Sequence, residues 1–123
     1  DFSSGQWIGQ ERKDLEFIID LKSEQEIKKI ACGYLQNLGN WIFKPEQVSV
    51  SSSSNGKDFI NSILLTDENK TIDKKTFKGK FSLDKSMNTR YLKINIKNIG
   101  VCPPSHPGAG SSAWMFIDEL IVE

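Results

Sequence analysis

Between Tyr91 and Lys97 the chain places Leu92, Ile94 and Ile96 on one side and Lys93, Asn95 and Lys97 on the other. An apolar residue at every second position lines one face of a strand, whereas on a helix the same residues would scatter around the axis. The pattern recurs along the chain. Leu15, Phe17 and Ile19 alternate with Glu16, Ile18 and Asp20, then Ile30, Cys32 and Tyr34 with Lys29, Ala31 and Gly33, then Val48 and Val50 with Ser49 and Ser51. Further strand-like runs cover Phe59–Leu65, Thr76–Phe81 and Ala113–Val122, and Trp114 shares an alternation face with Phe116, Leu120 and Val122. Trp114 and Trp7 are therefore expected to be structural. Ser54-Asn55-Gly56-Lys57 marks a hairpin, because Asn and Gly both tolerate positive φ. Only Ser23–Lys29 hints at a helical turn, and it is too short to matter. Seven or eight strands separated by turn signals predict an all-β, antiparallel sandwich.

At 123 residues the chain is expected to be one domain. Sixteen basic and sixteen acidic side chains cancel, so no field is available to attract phosphate, and a nucleic-acid partner is not expected. No apolar run reaches the roughly eighteen residues of a transmembrane helix, and no signal-peptide pattern is present. The start at Asp1-Phe2-Ser3-Ser4 has the character of a loop interior, as expected of a domain excised from a larger protein. Cys32 and Cys102 permit one disulfide without arguing for it, and Cys32 reads as a small core residue.

The segment Gly100–Glu119, GVCPPSHPGAGSSAWMFIDE, sets a proline- and glycine-rich loop against an apolar strand. Pro103, Pro104 and Pro107 fix φ and remove donors, while Gly108 and Gly110 allow positive φ. The result is a stiff, shaped loop carrying the single histidine, His106. Long loops with internal rigidity are usually functional, so this one is expected to wall a site.

Catalysis is a poor fit. His106 with Cys102 or Ser105 lacks a nucleophile-elbow context. Asp118 and Glu119 are adjacent on a strand and point to opposite faces, so they are not a glycosidase pair. One histidine and two cysteines fall short of a zinc set. The loop Gln36–Phe43, with Asn37, Asn40, Trp41 and Phe43, instead offers aromatic faces and amides, the parts a sugar site needs.

The frame DLEFIIDL…IKKI…PEQVSVSSSSNGKDF…TRYLKINIKNIG…FIDELIVE resembles the coagulation factor 5/8 type C (discoidin) domain. It spans nearly the whole chain in the family's order. The resemblance implies an eight-stranded jelly roll of galactose-binding-like topology, preceded by an Asp-Gly loop upstream of residue 1. GYLQNLGNWIF and the Gly100–Glu119 segment are similar to modules at the C-terminus of bacterial family-20 glycoside hydrolases, the β-N-acetylhexosaminidases.

In that family the ligand site is built from loops at one end of the sandwich. They match Gly9–Lys13 (with Glu11 and Arg12), Gln36–Phe43 and Pro103–Ser112 here. The resemblance thus implies Trp41 as stacking platform, with Phe43 beside it, His106 and Glu11 as hydroxyl partners and Asn37 as an amide partner. It further implies a structural Ca²⁺ held by Glu119 on the last strand and by Asp1, Ser3 and Ser4 at the start, through oxygen ligands that suit a hard cation. Asn69-Lys70-Thr71 has the form of a glycosylation sequon, which means little in a bacterial protein. The expectation is a non-catalytic carbohydrate-binding accessory module of a secreted, periplasmic or surface-attached bacterial glycoside hydrolase. Its partners would be a glycan of galactose or N-acetylhexosamine type and the parent catalytic domain. Two alternatives stand beside it: a module that packs on the catalytic domain without binding sugar, and a protein or lipid-headgroup binder, since fold does not fix function.

Overall fold

The computed structural model describes residues 2–4, 8–68 and 76–123. Ten strands are formed among these: β1 (Phe2–Ser4), β2 (Ile8–Glu11), β3 (Leu15–Ile27), β4 (Ile30–Asn37), β5 (Gln47–Ser53), β6 (Ile60–Leu64), β7 (Thr66–Asp67), β8 (Thr76–Leu83), β9 (Met87–Lys97) and β10 (Trp114–Val122). A single turn of 3₁₀ helix, Leu38–Asn40, is the only helix among the described residues. One sheet runs β1-β10-β4-β8-β7, with β2 also pairing β10, and the other runs β3-β9-β5-β6. Every ladder is antiparallel. The expected all-β sandwich is present, with ten strands where seven or eight were predicted, the additional ones short. Residues Ile8–Glu11, read as part of a loop, form a strand, and the Ser23–Lys29 segment continues β3 to Ile27 instead of turning helical.

The core follows from the alternation. Leu92, Ile94 and Ile96 are fully buried between the sheets, with Val48 and Val50 from β5 beside them and Cys32 and Tyr34 from β4 opposite. Both cysteines are free and buried. Burial, with a smaller effect from the Asp118 carboxylate, pushes the Cys32 thiol up to about 12, which suits an inert core residue.

β10 departs from the predicted alternation. Its pairing with β4 shifts register between Ile117 and Glu119, so Met115 and Ile117 point inward before the shift and Leu120 and Val122 after it. Trp114 is therefore not in the core stripe: it is 37% exposed and packs against Phe116, with ring centroids 6.0 Å apart. One extra residue in a strand reverses which side chains face the core. The Asp118 carboxylate folds over Gly33, occupying the space a Cβ would take.

The Asn-Gly hairpin joins β5 to β6 by a loop wider than two residues. Gly56 alone takes positive φ (78°), and the Asn55 side-chain oxygen accepts the N–H groups of Lys57 and Asp58. Tyr34, fully buried, lies across Gly79 and donates its hydroxyl to Asp67 at 2.9 Å, and Lys44 pairs with the other Asp67 oxygen at 3.0 Å. Burial and the Asp67 carboxylate raise the Tyr34 hydroxyl pKa. This chain of contacts ties the segment after Phe43 to the sheet edge.

On the second sheet Arg90 grips Asp20 through Nε and Nη2, at 3.0 and 3.3 Å. Hydrogen bonding from Arg90, and then from the Lys22 N–H, holds the Asp20 carboxyl below its ordinary range. A carboxylate with a lowered folded-state pKa stabilises the fold above its unfolded pKa of about 3.9, and the contribution is lost as pH falls through the lowered value. Asp20→Asn is thus expected to reduce stability at pH 7, with the gap to the native protein closing as pH drops below about 4. Urea denaturation at pH 7 and pH 3 measures both gaps. Equal gaps would show that the ionised carboxylate adds nothing to stability.

Candidate functional site

The β4–β5 and β9–β10 loops meet at one end of the sandwich. Mutual backbone bonds between Asn37 and Ile42, both 2.9 Å, pinch off the first loop around its 3₁₀ turn. Trp41 closes that turn in the left-handed region, φ 60°. A bulky residue rarely adopts this conformation, so surrounding contacts must impose it. Trp114 donates its N–H to the Trp41 carbonyl and accepts the Phe43 N–H, each at 2.9 Å, which fixes the segment on both sides of Ile42.

The second loop is pinned at its base by Asn98, which is 5% exposed. Its backbone N–H donates to Asp14 Oδ1, its Nδ2 donates to the Gln10 carbonyl and its Oδ1 accepts the Gly100 N–H. Gly100 and Gly110 both take positive φ, and a bridge between Val101 and Ser112 narrows the loop. Phe43, Cys102 and Ala113 form a small buried cluster beneath it, with Leu38 and Ile99 packed alongside.

A cleft of about 420 Å³ opens between the two loops, lined by Leu38, Trp41, Phe43, Pro103, His106 and Pro107 among others. Trp41 is 41% exposed. It lies across Gly108, where a Cβ would stand 2.8 Å from the indole, and meets His106 edge-on at 6.3 Å. Phe43 is the buried floor, with its ring 5.1 Å from the His106 ring.

His106 stitches the loops together. Its Nδ1 accepts the Gly108 N–H at 2.9 Å, so Nε2 carries the proton and donates to the Leu38 carbonyl at 2.7 Å. Both ring nitrogens are thereby engaged with backbone. The residue expected to meet hydroxyls instead holds the walls of the cleft at their spacing.

Of the residues singled out from sequence, Trp41, Phe43 and His106 come together. Asn37 and Glu11 do not line the cleft. Asn37 closes the loop through its backbone, and Glu11 stands exposed on β2 opposite Trp114. Arg12 is bound by its N–H to the Ala113 carbonyl at 2.8 Å, at the same end of the molecule. Glu119 is exposed on β10, whose other flank carries β1 with Ser4 opposite Leu120 and Ser3 opposite Ile121. Asp1, Trp7 and the Asn69–Thr71 sequon lie outside the described residues. Among the described residues no group of three His, Cys, Asp or Glu side chains converges. Sequence reasoning gave no role to Leu38 or Asn98. For Asn98 a signal existed: it continues the inward alternation of Ile94 and Ile96, where a polar residue needs buried partners. Compared with known proteins, the chain matches no family model and no curated protein sequence.

This geometry separates the two prominent residues of the cleft. His106→Ala strands the Leu38 carbonyl and the Gly108 N–H and is expected to cost about 1–3 kcal/mol in chemical denaturation. Trp41→Ala, at a partly exposed site, is expected to cost less than His106→Ala. The reverse order would mean that Trp41, rather than His106, holds the loops.

Proposed function

We propose that the chain is a non-catalytic carbohydrate-binding module of discoidin, jelly-roll type, serving as an accessory domain of a secreted or surface-attached bacterial glycoside hydrolase. The observation that carries this reading is Trp41: a half-exposed indole, held in a rare backbone conformation against Gly108, at the mouth of a preformed cleft. An aromatic face presented in this way suits the C–H face of a pyranose. Polar contacts would come from Ser105 on the rim and from loop carbonyls. His106 is committed to the backbone on both nitrogens, which leaves it unsuited to act as a base for Cys102 or Ser105 and favours binding over catalysis. With one ring and few hydrogen bonds, dissociation constants on the order of 0.1–1 mM are expected for galactose or N-acetylhexosamine.

NMR titration with galactose, N-acetylglucosamine and N-acetylgalactosamine tests the reading. Shifts are expected to cluster in residues 36–43 and 103–112, and Trp41→Ala is expected to abolish them while leaving the fold intact. The second reading, a module that packs on its parent catalytic domain, draws on the apolar cleft lining of Leu38, Phe43, Pro103 and Pro107. It forecasts no sugar-dependent shift and protection of this cleft in the full-length protein.

Calcium belongs to the same proposal. β1 lies beside β10, so Phe2–Ser4 run along the half of that strand that carries Glu119. Glu119 would supply a carboxylate there, with further oxygens from Asp1, Ser3 and the main chain. A structural ion at a hundredfold excess over its dissociation constant stabilises by about 2.7 kcal/mol. A chelator is therefore expected to lower the melting temperature, and Glu119→Gln to remove that dependence. Identical melting with and without chelator would eliminate the calcium site.

A further inference from the structure

A larger cleft, of about 590 Å³, opens at the other end of the sandwich. β5 begins at Gln47, after the Trp41 loop, and ends at Ser53 beside this second cleft. A strand of that length separates the two by roughly 20 Å. We infer that the second cleft is an additional binding site for a neutral, polyhydroxylated ligand, a saccharide unit, independent of the Trp41 cleft.

The lining has the composition such a ligand requires. Sugar hydroxyls both donate and accept, and Asn61 and Asn88 here bring amides that do the same, next to the serine run Ser52–Ser54. Among the described residues the side-chain amides of Asn61 and Asn88 make no hydrogen bond, so both remain available to a ligand. Arg90 also lines the cleft and is fixed in place. Asp20 engages Nε and Nη2, and the guanidinium lies 4.9 Å from the Tyr91 ring centre. The N–H donors not used on Asp20 remain for a ligand, and their ordering is already complete before binding. The opposite wall is set by Asn55, whose Nδ2 donates to Asp58 at 2.9 Å. Ile60, 61% exposed, supplies an apolar patch at the rim.

Charge selects the ligand class. The positive charge of Arg90 is balanced by Asp20, while Glu24 and Asp58 line the same cleft. A carboxylate, phosphate or sulfate would enter a field of negative sign, so the neutral sugar is preferred over its acidic counterpart. The volume lies within the range of small-molecule sites.

Amide NMR titration with galactose, N-acetylglucosamine and galacturonate, each to about 50 mM, tests the site at the weak affinity expected of such a surface. Saturable shifts are expected at residues 52–61 and 88–90 with the neutral sugars, unchanged by Trp41→Ala, and weaker with galacturonate. Asn88→Ala is expected to weaken binding about 5- to 10-fold. Arg90→Lys, which retains the charge but loses the fork, is expected to weaken it comparably. The inference fails if the neutral sugars shift nothing in these segments, if galacturonate binds as tightly, or if neither variant has an effect. Shifts confined to residues 36–43 and 103–112 would overturn this site and leave the Trp41 reading standing. Shifts confined to residues 52–61 and 88–90 would do the opposite.

Discussion

The inward layer of β9 and β5 against β4 and β10 is the contact on which everything else rests. Leu92, Ile94, Ile96, Val48 and Val50 have no exposed surface to speak of, and each is worth about 1.5–3 kcal/mol on burial. Because strand alternation has period two, this layer also fixes the outward side chains and the ends at which each strand enters and leaves the core. The loops are consequences of it: the Trp41 loop begins where β4 leaves the core, and the His106 loop begins one residue after Ile96 and Lys97 run out. Their separation is set by strand positions, and their final distance by short backbone bonds across the gap.

Those cross-loop bonds use a modest set of groups. Asn98 meets the Asp14 carboxylate and two backbone groups from one buried position, and His106 satisfies two more backbone groups at the cleft. Between them Trp41 and Trp114 share a short backbone ladder. The shape of the cleft is set by this polar pairing, at the loop base through Asn98 and across the cleft through His106. The apolar cluster of Phe43, Cys102 and Ala113 fills the space beneath. Rim pairing of this kind resists collapse of the cleft without requiring a ligand to hold it open.

Strand content was readable from alternation alone, because Leu92-Ile94-Ile96 and Val48-Val50 meet the core without interruption. β10 was not. The Trp114-Phe116-Leu120-Val122 stripe would put Asp118 on the core face, and the strand avoids this with a bulge that lets Asp118 fold over Gly33, a contact visible only in the structure. The loop histidine and tryptophan stood out as candidates, but whether they face a ligand or each other depends on long-range contacts such as His106 to Leu38. The hairpin at Asn55-Gly56 was legible as a turn. The polar cleft beside it was not, because Asn88 and Arg90 reach it from a strand remote in sequence.

The bulge in β10 divides that strand into two halves of opposite phase. Before Asp118 the strand is bound to β2, to the end of β4 and to the Trp41 segment; after it, to β1 and the start of β4. A continuous pleat would keep residues of one parity facing the core along its whole length, but here the phase of the pleat is reset midway. Residues of one parity thus lie outside the core at the loop end, as Trp114 and Phe116 do, and inside it at the other, as Leu120 and Val122 do, so the two halves of one strand tolerate opposite patterns of substitution.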